Sequence, residues 1–196
     1  MKRNLILLVL LVTSKTFAQQ EWKLKKSVDD IKIYTRSTAG SELKEYKAIT
    51  EVDADLETVL HELLTAPKYN DMCESGVSYY LKSEGADKHL FYAQKSLPWP
   101  VRDRDVITRL TVNRISENKV MLFLEGAPAA LPEQEDMIRI TELMGHWMLE
   151  QMDGKTRVTQ KMFIDPNGSL PPFVVNALLV KGPLKTFREL RTAVQP

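Results

Sequence analysis

The residues best suited to chemistry form no familiar catalytic set. His61-Glu62-Leu63-Leu64-Thr65 begins like the zinc-protease pattern H-E-x-x-H, but Thr65 stands where the second ligand His would be. The stretch therefore reads as a helix surface with an apolar back, and no metal is expected there. His146 lies between Gly145 and Trp147 with no Cys or His nearby, so it is either a general base or a hydrogen-bonded structural residue. Asp103 with Asp105, and Glu133 with Glu135, are two residues apart in non-helical segments and are expected on solvated surface. Asn167-Gly168-Ser169 is formally a glycosylation sequon but reads better as a turn. Glycine-rich phosphate loops and G-x-S-x-G elbows are absent. With three His and one Cys the chain builds neither a Cys/His zinc cluster nor an internal disulfide. A non-enzymatic protein with no cofactor is the expectation.

Two loops carry a different signal. Leu97-Pro98-Trp99-Pro100-Val101 places prolines, a Trp and aliphatic residues between strands, where turns normally take polar residues. Leu170-Pro171-Pro172-Phe173-Val174-Val175 does the same where the last helix begins. Side by side, the two loops would make an apolar rim that lies against a bilayer or gates a cavity, with Trp99 suited to an interface by its amphipathic ring. The competing reading is ordinary packing onto the core.

The elements that must position these residues follow from periodicity. Ile31 to Arg36 alternates, and Tyr46, Ala48, Thr50 and Val52 repeat at period two, giving two opening strands. Leu56, Val59, Leu60, Leu63 and Leu64 make one helical stripe, capped by Asp53 or Asp55 and ending before Pro67. Six strand-like runs follow, at 77–82, 89–95, 105–113, 119–125, 137–150 (bent at Gly145) and 156–164, most joined by short turns that force antiparallel pairing. Val174, Ala177, Leu178, Leu184, Phe187 and Val194 then define one long helix over 172–194, kinked at Gly182-Pro183. An antiparallel sheet of this length with two helices must curl around the terminal one, leaving a cavity or a space filled by side chains.

Composition agrees with one globular domain: 27 Lys plus Arg against 26 Asp plus Glu, and 43% hydrophobic residues. Met1-Lys2-Arg3 followed by the apolar run Asn4 to Val12 and by Thr16-Phe17-Ala18 reads as a secretory signal peptide over 1–18. Its apolar run is well short of the roughly 20 residues that span a bilayer. The domain is then 19–196, and the protein is expected to be exported, to the periplasm or beyond the cell. Without Lys2, Arg3 and Lys15 the chain carries 24 basic and 26 acidic residues, a net charge of −2, which argues against nucleic acid as a partner. A monomer is expected, unless an exposed Cys73 pairs two chains.

Pro98-Trp99-Pro100-Val101-Arg102-Asp103-Arg104-Asp105-Val106 resembles the Pro-Trp-Pro plus Arg-Asp signature of START domains, the lipid-transfer family related to steroidogenic acute regulatory protein. Trp22 with 31–36, Leu43 to Ala48, Pro132-Glu133-Gln134 with Ile138-Arg139, Gly145-x-Trp147, Thr156 to Val158, and Asp165 to Pro171 with Asn176 are similar to the family pattern in the same order. The family tends to have Trp after the stretch matching Tyr69-Asn70, where this chain has Met72.

The resemblance implies an α+β helix-grip fold: a curved antiparallel β-sheet wrapped around a long C-terminal α-helix, with an internal hydrophobic cavity that holds one lipid. It makes Leu97, Trp99 and Phe173 the mouth, Trp147 and Met162 or Phe163 the wall, Leu178 the helix contact, and Arg104 or Arg109 the contact for a polar head. In sterol-binding members an Arg matching Arg104 has an acidic partner, whose position falls here near Tyr79 or Tyr80; Arg104 is therefore expected to pair with Asp103, Asp105 or a head group. Arg109 or Arg139 would also face inward if strand alternation so places them. The implied function is binding and transfer of a single hydrophobic lipid without catalysis, with a lipid and a transient membrane surface as partners. The alternatives are a cyclase-like cavity enzyme using Tyr79, Tyr80, His146 or Arg109, and a ligand-free periplasmic interaction module.

Overall fold

A computed structural model describes residues 21–65, 78–97, 99–168 and 170–195. The signal-peptide expectation, Met72, Cys73 and Pro98 fall outside the described residues. Among the described residues ten strands form one sheet: β1 (Lys23–Val28), β2 (Ile31–Ser37), β3 (Lys44–Val52), β4 (Ser78–Ser83), β5 (Lys88–Lys95), β6 (Asp103–Ser116), β7 (Lys119–Gly126), β8 (Met137–Arg139), β9 (Glu142–Met152) and β10 (Lys155–Asp165). Helix α1 (Leu56–Leu64) follows β3, and α2 (Pro172–Val194) ends the chain. The spatial order is β1-β2-β3-β10-β9-β7-β6-β5-β4, and β8 pairs parallel with the start of β6. Among the described residues no helix is long and apolar enough to cross a membrane.

The curved antiparallel sheet gripping a C-terminal helix is the α+β arrangement expected from the element order. Period-two alternation puts Ile31 and Ile33 of β2, Tyr46 and Ala48 of β3, Trp147 and Leu149 of β9, and Val158 and Met162 of β10 into one core with α1 and with Leu179, Phe187 and Leu190 of α2. A smaller cluster of Leu90, Tyr92, Ile107 and Ala127 occupies the opposite face, under the segment that leads into β8. Asp55, not Asp53, caps α1, its side chain accepting from Thr58 N at 2.7 Å.

Two details correct the expectations. The sheet opens with three strands, because Lys-rich β1, exposed along nearly its whole length, pairs with β2 without an apolar period to announce it. The 137–150 run is two strands, β8 and β9, broken at Ile140-Thr141, and Gly145 lies within β9. Gly145 is needed for close approach: a Cβ there would lie 2.2 Å from the Lys161 carbonyl oxygen. Helix α2 is one long element over 172–194, as expected, with Pro183 inside it.

Candidate functional site

A cavity of about 230 Å³ lies between the concave face of the sheet and the helices. Phe91 and Ala93 of β5, Thr108 and Leu110 of β6, Leu124 of β7, Leu143 and Trp147 of β9, and Gln160 and Met162 of β10 line its sheet side; Leu63 of α1 and Thr186 of α2 close it from the other. Trp147 stacks on Phe187 with centroids 5.5 Å apart, so the back of this wall is held by the underside of α2. No charged side chain is among the described lining residues, whose polar members are Ser78, Thr108, Gln160 and Thr186. Gln160 accepts a hydrogen bond at 2.8 Å from the hydroxyl of Tyr46, and burial raises the Tyr46 phenol far above its ordinary pKa.

The two apolar loops leave the sheet at one end and are tied together there. Arg104, 3% exposed, donates to the carbonyl oxygens of Arg102, Pro166 (3.5 Å) and Asn167 (3.4 Å), joining the base of the Trp99 loop to the turn before α2. That turn needs left-handed backbone at Asn167 (φ 56°) and Gly168 (φ 74°), as the Asn-Gly pair allows. Trp99 projects from its loop and Phe173 from the first turn of α2, 92% and 76% exposed, and Leu178 is exposed further along α2. Leu97 is half-buried, its N–H bonded to Asp103 Oδ1 at 2.9 Å.

The residues singled out from sequence thus divide. Trp147 lines the cavity; Trp99, Phe173 and Leu178 lie at the surface; Phe163 does not reach the cavity wall. Alternation in β10 turns Met162 inward and Phe163 to the other face, against Met144 of β9. Arg104 hydrogen-bonds to backbone carbonyls, with the Asp103 charge favouring its cationic form, and is not among the described residues that line the cavity. Arg109 faces the outer side, paired with Glu84 (2.7 Å) and Glu125 (3.1 Å). Arg139 is buried against Asp105, away from the cavity lining, so Asp105 is not solvated surface. Tyr79 and Tyr80 are exposed on the edge strand, and His146 sits on the outer face opposite Lys161. Among the described residues no group of three or more His, Cys, Asp or Glu could hold a metal.

Tyr46 and Gln160 were missed as site residues. The usable signal was parity: Gln160 shares its strand face with Val158 and Met162, so an amide had to enter an apolar wall.

The sequence model of the START domain family matches residues 7–196, and the chain belongs to that family. An uncharacterized protein of Pseudomonas aeruginosa is 33% identical over 180 residues, covering 90% of this chain and 88% of that one. The crystal structure of a STAR-related lipid transfer protein fragment from Xanthomonas axonopodis superposes with a TM-score of 0.81 at 28% identity, over 88% of this chain and 98% of that one. Human StAR-related lipid transfer protein 5, with a TM-score of 0.73, 16% identity, and 88% and 86% coverage, shares the fold.

Proposed function

We propose that this protein is an exported, non-catalytic carrier that holds one hydrophobic lipid between its sheet and α2 and exchanges it at a membrane surface. The observation that carries this reading is the uncharged cavity walled by Leu110, Leu124, Trp147 and Met162. Its driving force is desolvation, about 0.8 kcal/mol for each methylene moved from water to the apolar wall. The lipid-transfer names of the similar structures support the same ligand class, and the exposed Trp99 and Phe173 beside the Arg104 tie support a membrane-facing mouth. The apolar leader Asn4 to Val12 after Lys2-Arg3 supports export. Against a cavity enzyme, Tyr79, Tyr80, His146 and Arg109, the groups available for acid–base work, are not among the cavity-lining residues.

Native mass spectrometry of the mature protein, purified without detergent from its own host and followed by organic extraction, tests the proposal. One lipid per chain is the expected result. A protein that is ligand-free and stays so after incubation with host lipid vesicles would overturn it.

A further inference from the structure

The cavity wall contains one polar group whose hydrogen bonding is half complete. Gln160 is 5% exposed and lines the cavity. Its Oε1 lies 2.8 Å from the Tyr46 hydroxyl. The chemistry of this pair fixes the direction of the amide. A buried phenol kept neutral by desolvation still needs an acceptor for its O–H, and among the described residues that acceptor is Gln160 Oε1. The amide therefore presents its NH2 away from Tyr46, and no described residue accepts from either N–H. An amide NH2 turned from Tyr46 toward a cavity wall is met there by water or by whatever occupies the cavity, and an occupant that displaces the water without accepting from it is penalised.

Charge narrows what that something is. A carboxylate or phosphate brought to Gln160 would lose its water and meet no cation among the described residues, where Arg104 is held by three backbone carbonyls, Arg139 by Asp105, and Arg109 by Glu84 and Glu125 on the outer face. A hydrocarbon would enter but leave the two donors unmet. At about 230 Å³ the space also lies below the roughly 300–1,000 Å³ of ordinary ligand pockets, which favours a slender occupant.

We infer that Gln160, oriented by Tyr46, is the specificity-determining contact of the cavity and selects slender, uncharged lipids that carry an oxygen acceptor, such as a carbonyl or ester, over free fatty-acid anions and plain hydrocarbons. The inference rests on the carrier reading above and deepens it.

The test uses a bound neutral dye, phenylnaphthylamine, displaced at slightly alkaline pH by three ten-carbon competitors: methyl decanoate, decane and ionised decanoate. Replacing Gln160 alone would strand the Tyr46 O–H, so the diagnostic protein carries Gln160→Leu with Tyr46→Phe, which removes both partners and is close to neutral for the fold. Affinity for methyl decanoate should fall about threefold to tenfold in that variant, the value of one or two neutral hydrogen bonds, while affinity for decane holds. In the wild-type protein decanoate should compete worst. A variant that weakens ester and hydrocarbon equally, or neither, would overturn the inference, as would a wild-type preference for decanoate. If neither dye nor competitor binds at all, the carrier reading itself falls and takes this one with it.

Discussion

Arg139 and Asp105, direct partners in the short parallel pairing of β8 with β6, form a bidentate ion pair with both N–O distances at 2.8 Å and almost no exposure. The three remaining donors of the guanidinium reach the carbonyl oxygens of Pro128, Leu131 and Pro132, so all five N–H groups are used. This pair pins the segment that covers the outer-face cluster of Leu90, Tyr92 and Ile107. A buried ion pair adds little net stability over an apolar pair of similar shape, but breaking it leaves a charge stranded. Asp105→Asn should therefore cost about 3–5 kcal/mol in urea unfolding, whereas Asp105→Leu with Arg139→Met should recover most of that. A single variant with a wild-type midpoint would mean that the covering segment is held by other contacts.

Gly145 gives a steeper prediction. A methyl group there meets backbone as well as side chain: the Lys161 carbonyl at 2.2 Å, the Met162 sulfur at 2.9 Å and the Met162 Cα at 3.0 Å. Because β9 and β10 are central strands, they cannot separate locally without disturbing β3 and β7 on either side. Gly145→Ala should lose at least 2–3 kcal/mol, in the range of overpacked cores, and a soluble variant should show lower hydrogen-exchange protection along β9 and β10. Wild-type protection in both strands would show that the strand pair absorbs the methyl group.

How much of this was legible depends on whether a residue's environment is local or distant. The α1 stripe from Leu56 to Leu64, the long C-terminal helix and most strands announced themselves by period, because burial on one face writes directly into spacing. Edge strand β1 has almost nothing buried and so no period. The break between β8 and β9 was hidden because Met137 to Arg139 belongs to β6 rather than to β7, a register set by pairing across the chain. Within the site, Trp147 was legible and the arginines were not. Arg104, Arg109 and Arg139 look alike in sequence, and their roles are set by partners as distant as Pro166, Glu84 and Leu131. Gln160 was readable by parity, but its significance needed Tyr46, more than a hundred residues away.

His146 supplies a pH dependence. Burial lowers its pKa below the ordinary 6.5, Lys161 across the strand pair lowers it further, and Glu45 opposes both. The folded protein thus takes up a proton at this site less readily than the unfolded chain, so stability is lost as pH falls below 6.5 and levels off once the folded-state imidazole has also titrated. Urea midpoints of the wild-type protein should fall more steeply from about pH 7.5 to about pH 5 than those of His146→Gln, with the two converging at the alkaline end. Parallel pH profiles would mean that the imidazole is as well solvated folded as unfolded.

The mouth proposal turns on Trp99, which contributes little to the fold because it is 92% exposed. Its large ring at the tip of a loop tied to the turn before α2 suits a contact made with a bilayer interface rather than with the core. Trp99→Ala should slow lipid transfer between vesicles by about tenfold, equivalent to roughly 1.4 kcal/mol of lost contact, while the thermal midpoint stays close to wild type. Phe173→Ala should act in the same direction, and the pair together should slow transfer further, because Trp99 sits on the loop before β6 and Phe173 on the first turn of α2. Equilibrium occupancy of the cavity should change little, since neither residue is among those that line it. An unchanged transfer rate in the double variant would move the exchange route away from this end of the sheet; a fall in thermal midpoint matching the fall in rate would make both residues packing groups instead.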